Sequence, residues 1–334
     1  MLTDGRNPAI MKNIGIPGLL SLLACVTWAC TAGAQPYPAR PIRILVASSP
    51  GSAADIVARI VAQKLPDVLG QQIVIDNRAG AGGNLGAQIA AQAAPDGYTL
   101  FLGTPAHVIH PSLTTRPLYD LARDFAPISL LTSGAYVIVV NPRIPVKSLK
   151  ELIAYLKSNP GRLNYASAGT GNATHLAGEL FRIVAGVDIV HVPYKGSGPA
   201  LAELVGGQVD MMFANLAAAQ GDIQSGKLRA LAVTGPKRSV AAPQLPTASE
   251  AGLPGYEVTS WFGVLAPKGT QAMVIASLNK SFVQVLNMPE AKERLVSLGA
   301  EPVGSSPQAF ASYIKEEVAR WGKVIKAAGI KAEN

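Results

Sequence analysis

The chain has 334 residues, a net charge of +8, a pI near 9.5 and two cysteines. That length buries a sizeable core without disulfides, and Cys25 and Cys30 both lie in an N-terminal apolar stretch, which excludes thiol chemistry from the rest of the chain. The basic residues are scattered, with no run of five and no interleaved aromatics, so a nucleic-acid interface is excluded as well.

Residues 1–34 read as an export signal: Lys12 precedes an apolar run from Ile14 to Ala29, and Ala32-Gly33-Ala34 offers a cleavage site. A retained membrane span fits less well, because Pro17 interrupts the run and a cleavage pattern ends it. "LLAC" at Cys25 resembles an acylation box, but it cuts the apolar region short. The expected location is therefore periplasmic, with cleavage near Ala34. Losing Arg6, Lys12 and Asp4 lowers the net charge by one and leaves a surface that attracts anions.

Beyond the signal, short apolar runs alternate with helical patterns. Strands are predicted at 42–48, 72–76, 98–102, 136–140, 189–192, 209–213, 229–233 and 261–266. Helices are predicted at 53–69, 83–94, 148–158, 173–185, 198–206, 215–225, 270–287 and 307–328. In the first helix Ile56, Val57, Ile60, Val61, Leu65 and Val68 recur at helical spacing. This alternation predicts an α/β fold with parallel or mixed sheets flanked by helices. Some 300 residues exceed one typical core, so two lobes are expected. Proline-flanked extended stretches at 131–145 and 256–267 suit two crossing strands, giving lobe 1 as 36–140 with 260–334 and lobe 2 as 141–259.

Four times a predicted strand leads through a Gly/Ser-rich loop into a helix: Ser49–Asp55, Gly80–Asn84, Gly169–Thr174 and Gly196–Pro199. Such junctions present backbone N–H groups to an anion beyond the strand ends. In the first, Ser48, Ser49 and Ser52 offer hydroxyls, while Ser52 and Asp55 have capping-box spacing. It lacks the Gly-Lys-Ser/Thr ending of a P-loop. "GAGGNLGA" (80–87) has Leu85 where a dinucleotide fingerprint needs glycine, so it reads as a tight turn. In "SAGTGNATH" (167–175), Thr170 or Asn172 can cap the helix and leave N–H groups for an oxyanion, with His175 as a neutral packing or hydrogen-bonding group. "HVIH" (107–110) has ligand-like spacing but no third ligand nearby, so no metal or other cofactor is expected. Lys195 in "PYKGSGPA" either approaches a carboxylate or stays solvated. Ser197 lacks a nucleophile-elbow context, and no nucleophile–base pair is evident. Trp261 or Phe262 can line a cleft or pack a hinge. Hydroxyls, glycines and amides with few titratable groups suit recognition rather than catalysis.

Together "PGSAADIVAR", "NRAGAGGNLGA", "PDGYTLFLGT", "YASAGTGNATHLAGELF", "HVPYKGSGPAL", "GGQVDMMF" and "PTASEAGLPGYEVTSWFG" resemble the extracytoplasmic solute receptors of tripartite tricarboxylate transporters, the Bug-type proteins. The resemblance implies a two-lobed periplasmic binding protein of the type II-like, Venus-flytrap kind. It implies hinge closure on a small dicarboxylate, tricarboxylate or aromatic carboxylate, and delivery to integral membrane transporter subunits. It further implies ligand contacts from Ser48, Ser49, Pro50, Gly51, Ser52, Ala53 and Asp55, and from Gly103, Thr104 and His107. On the other lobe it points to Ala168, Gly169, Thr170, Gly171, Asn172, Thr174 and His175, then Lys195, Gly196, Ser197 and Asn215. The chain departs from the family at Ser48, Ser52, Ala54 and Ala214, where an aromatic, a glycine, a small hydroxyl and an acidic residue are common. A receptor that senses its ligand without its own transporter is a variant of this reading, and an exported hydrolase or esterase is its rival.

Overall fold

The computed structural model describes residues 37–114 and 117–329. The expected signal peptide, 1–34, lies outside them. The chain divides into a unit ending at Ala39 and one running from Arg40, and every element below belongs to the latter.

Three parallel strands, β1 (Ile42–Val46), β2 (Ile73–Asn77) and β3 (Thr99–Gly103), alternate with α1 (Ala53–Leu69) and α2 (Asn84–Ala91). After the short helices α3 (Pro105–Ile109) and α4 (Leu121–Asp124) comes a long strand, β4 (Phe125–Val140). Then follow α5 (Leu149–Ser158), β5 (Asn164–Ser167), α6 (Ala173–Ala185), β6 (Val190–Pro193), α7 (Ser197–Val205), β7 (Met211–Asn215), α8 (Leu216–Gln224) and β8 (Arg229–Val233). The chain returns through β9 (Thr259–Pro267) to α9 (Ala272–Leu286), α10 (Pro289–Ser297), β10 (Ala300–Pro302) and α11 (Pro307–Ala328).

The strand order is β2-β1-β3-β9-β4-β7-β5-β6, with β8 and β10 also paired to β4. β4 is the spine. Its first half runs antiparallel to β9, from Phe125 opposite Pro267 to Ala135 opposite Thr259, and its last residues, Tyr136–Val140, pair with β7 and β8. Val137 to Val140 are wholly buried, as a β-branched run covered on both faces should be. The periodicity found the long helices well: α1, α6 and α11 match their predicted spans. It missed α3, α10 and the start of β4 before the extended stretch expected at 131–145, where Pro127 and Ser129 dilute the apolar signal.

α11 closes over the returning strand β9. A Cβ on Gly263 would overlap the Phe310 ring, so that close approach requires glycine. Buried beside it, Glu317 Oε2 accepts the indole N–H groups of Trp261 at 3.2 Å and Trp321 at 3.1 Å. Glu317→Ala leaves both indoles without a partner, and thermal or urea denaturation should show a loss of about 3 kcal/mol. Unchanged stability would mean that water replaces the carboxylate there at no cost.

Candidate functional site

Three helices in this region are held by capping chemistry written into their first turns. At α1, Ser52 Oγ accepts the Asp55 N–H at 3.3 Å, and the Asp55 carboxylate accepts the Gly51 N–H at 2.9 Å. Asn77 donates from Nδ2 to Asp55 Oδ1 at 3.0 Å and to the Ser48 carbonyl at 3.1 Å, while Arg59 pairs with the carboxylate at 2.9 Å. Burial alone would raise the Asp55 pKa, but the hydrogen bonds from Arg59, Gly51 and Asn77 outweigh it and hold the carboxyl below its ordinary value. At α3, His107 Nδ1 accepts the Thr104 N–H at 3.0 Å. At α6, Asn172 Oδ1 accepts the Thr174 N–H at 3.1 Å and His175 Nδ1 accepts the Gly171 N–H at 3.0 Å.

Between these loops lies a cavity of about 500 Å³, lined by Ala47, Ser48, Ser49, Ser52, Ala79, Gly80, Gly82, Gly83, Ala168, Gly169, Thr170, Asn172, Tyr194, Lys195, Gly196 and Ser197. All four glycine-rich corners meet there. A smaller inner chamber of about 100 Å³ shares Ser48, Ser52, Asn172 and Ser197 with it. Its other walls are Ala53, Ala54, Thr104, Pro105, Ala106, Tyr136, Ala173, Thr174, Asn215, Ser260 and Phe262. The first residues of α1, α6 and α7 and the N-cap of α8 therefore border one hollow, and first-turn N–H groups have no partner within their own helices. Among the described residues, Lys195 is the one charged side chain in these walls, and no Asp or Glu lines either chamber. The electrostatics favour an anion.

Seven residues expected at the ligand lie outside both linings: Pro50, Gly51, Asp55, Gly103, His107, Gly171 and His175. Asp55, His107 and His175 point back into the protein as caps. His107 sits edge-on to Phe101, ring centroids 4.7 Å apart, and burial drives its pKa down to about 3. Gly103 faces Leu265 of β9. The 167–175 loop also spends N–H groups that the sequence left for an oxyanion. Ala168 donates to Thr174 Oγ1 at 2.9 Å, Gly169 to Ser167 Oγ at 3.1 Å, and Gly171 to His175. Asn215 caps α8 through Oδ1 and donates from Nδ2 to Ser260 Oγ at 3.0 Å.

The ligand contacts drawn from the resemblance omitted Ala79, Gly80, Gly82, Gly83, Tyr194, Tyr136 and Ser260. The Gly80–Asn84 junction was among the four anion-facing corners read from sequence, but its failed dinucleotide spacing kept its residues out of the contact set. Of the two aromatics weighed together on β9, Phe262 lines the inner chamber, whereas Trp261 faces Glu317.

A family model described as the tripartite tricarboxylate transporter family receptor matches residues 57–330. The chain belongs to that family. Protein BugT of Bordetella pertussis is 39% identical over 305 residues, covering 91% of this chain and 94% of BugT. An R. palustris protein solved with adipate is 40% identical, with a TM-score of 0.85 over 88% of this chain and 99% of that one. MatC from Rhodopseudomonas palustris, solved with bound malate, is 36% identical, with a TM-score of 0.80 over 86% of this chain and all of that one (100%). Structural neighbours of this receptor are periplasmic binding proteins, so it shares their two-lobed, type II-like α/β fold. The family consists of solute-binding receptors, not enzymes.

Proposed function

We propose that this receptor captures a small carboxylated solute in the periplasm, closes on it and delivers it to integral membrane subunits of a tripartite transporter. The lobes that close are 36–140 with 260–334, and 141–259, hinged where β4 and β9 run side by side. Residues 1–34 are removed on export. Dicarboxylates or tricarboxylates are the first candidates and aromatic carboxylates the second.

One observation carries the reading. Loops from both proposed lobes wall a single hollow that offers hydroxyls, helix starts and Lys195, with no acidic side chain among the described residues of the lining. A carboxylate meets donors there, while an α-ammonium group meets no carboxylate to pair with. The adipate and malate bound by relatives fit that balance.

A thermal-shift screen tests it. Adipate, malate, citrate and benzoate form one arm, aspartate and glutamate the other. A carboxylate at a hundred times its Kd should add about 2.7 kcal/mol of stability, whereas the amino acids should leave the transition in place. Stabilisation by aspartate, or by none of the carboxylates, would sink the reading.

A further inference from the structure

Behind the loop joining β5 to α6 is a buried cluster that the cavity does not use. Ser167 Oγ stands 2.6 Å from His191 Nε2 and accepts the Gly169 N–H at 3.1 Å. His191 stacks on His175, with ring centroids 3.9 Å apart and planes inclined by 21°. His175 Nδ1 accepts the Gly171 N–H at 3.0 Å. The Gly171 amide is thus tied directly to the stacked imidazole pair and the Gly169 amide through Ser167, while Ala168, Gly169, Thr170 and Asn172 form cavity wall.

A backbone N–H can be received only by an unprotonated ring nitrogen. His175 Nδ1 is therefore bare, and its ring proton sits on Nε2, which faces Glu179 Oε1 at 4.0 Å. A second proton would set N–H against N–H and release Gly171. Both Glu179 oxygens are engaged, Oε1 by Tyr165 of β5 at 2.8 Å and Oε2 by Arg182 at 2.9 Å. Tyr256 donates to the Ala177 carbonyl, and the neighbouring cationic candidate on β6 is His191 itself. Of the helices packed on α6, α3 brings the buried His107, and the inward Glu317 of α11 is taken by two indoles.

We propose that His175 and His191 are positioning residues for the ligand loop, and that ligand binding is linked to both imidazoles staying neutral. The proposal rests on the cavity being the carboxylate site. It assigns the pair no contact with the ligand.

The test begins with the receptor alone. Amide exchange across residues 168–172 is followed in wild type, His175→Gln, His175→Leu and the double variant His175→Gln/His191→Gln. Leucine removes the acceptor, so Gly171 should exchange about tenfold faster, while glutamine, whose Oε1 accepts the same N–H, should stay within about threefold. Adipate and malate then serve as probes. His175→Leu should bind about tenfold more weakly and His175→Gln nearly as wild type. As pH falls from about 5 to about 3.5, where His191 gains its proton, wild-type affinity should fall more steeply than that of the double glutamine variant, the shared part of the fall being protonation of the probes themselves. Unchanged exchange and affinity in His175→Leu, or an equal pH dependence in wild type and double variant, overturns the proposal. If the leucine variant does not fold, the pH comparison decides. If neither probe binds wild type, the carboxylate reading fails for them, and the exchange measurements alone decide the positioning role.

Discussion

On the proposed closure, Gly171→Val should bind a carboxylate ligand roughly tenfold to a hundredfold more weakly than the parent, through a collision made where the two proposed lobes meet. Gly171 has φ +75°, and a Cβ there would overlap Leu113 Cδ1, which belongs to the opposite lobe as proposed. Two costs must be separated. The positive φ strains valine in open and closed forms alike, so it lowers the melting temperature without changing affinity. If that contact forms on the proposed closure, the overlap with Leu113 burdens the closed form and appears in the Kd. Gly186 provides the control. It has φ +60° at the other end of the same helix, with nothing within 4 Å of an added Cβ. Gly186→Val should lose stability and keep its affinity. Equal affinities for the two variants would place closure somewhere other than the Gly171–Leu113 contact.

Acid should cost this fold more than its modest content of buried carboxylates suggests. Burial pushes His107 down to about 3, and it pushes His191, with His175 beside it, down to about 4. An unfolded histidine titrates near pH 6.5. Below that pH the unfolded chain binds protons that the native state refuses, so stability falls as pH falls. Both groups contribute from about 6.5 down to about 4, and His107 continues to about 3. Each costs about 1.4 kcal/mol per pH unit in its window, so urea denaturation should show about 5 kcal/mol less stability at pH 4.5 than at pH 7. That is a large share of a typical domain's total. His107→Gln should roughly halve the slope. Equal stability at the two pH values would mean that water reaches these rings in the native state.

Particular residues show how much of this was readable. Ser52 and Asp55 announce their helix start by spacing, and the structure uses them so, with Asp55 receiving Gly51, Asn77 and Arg59. The same junction was also read as ligand-binding, and there local sequence is ambiguous. Serine, asparagine, aspartate and glycine serve caps and anion sites through the same chemistry. His107 and His175 illustrate the point. The position of His175 in the first turn of α6 was plain and the helix that carries His107 was not predicted, and for neither ring did the sequence say whether it faced the cavity or the interior.

The sequence by itself determined the alternation of strands and helices, the glycine-rich corners between them and the scarcity of acidic groups around those corners, because these follow from periodicity, turn chemistry and composition. Only the tertiary structure decided which atoms of each corner face the hollow. Phe101, His191 and Leu113 lie up to tens of residues from the side chains or backbone they meet, and it is this long-range packing that turns His107 and His175 inward and brings Gly80, Tyr194 and Phe262 to the wall.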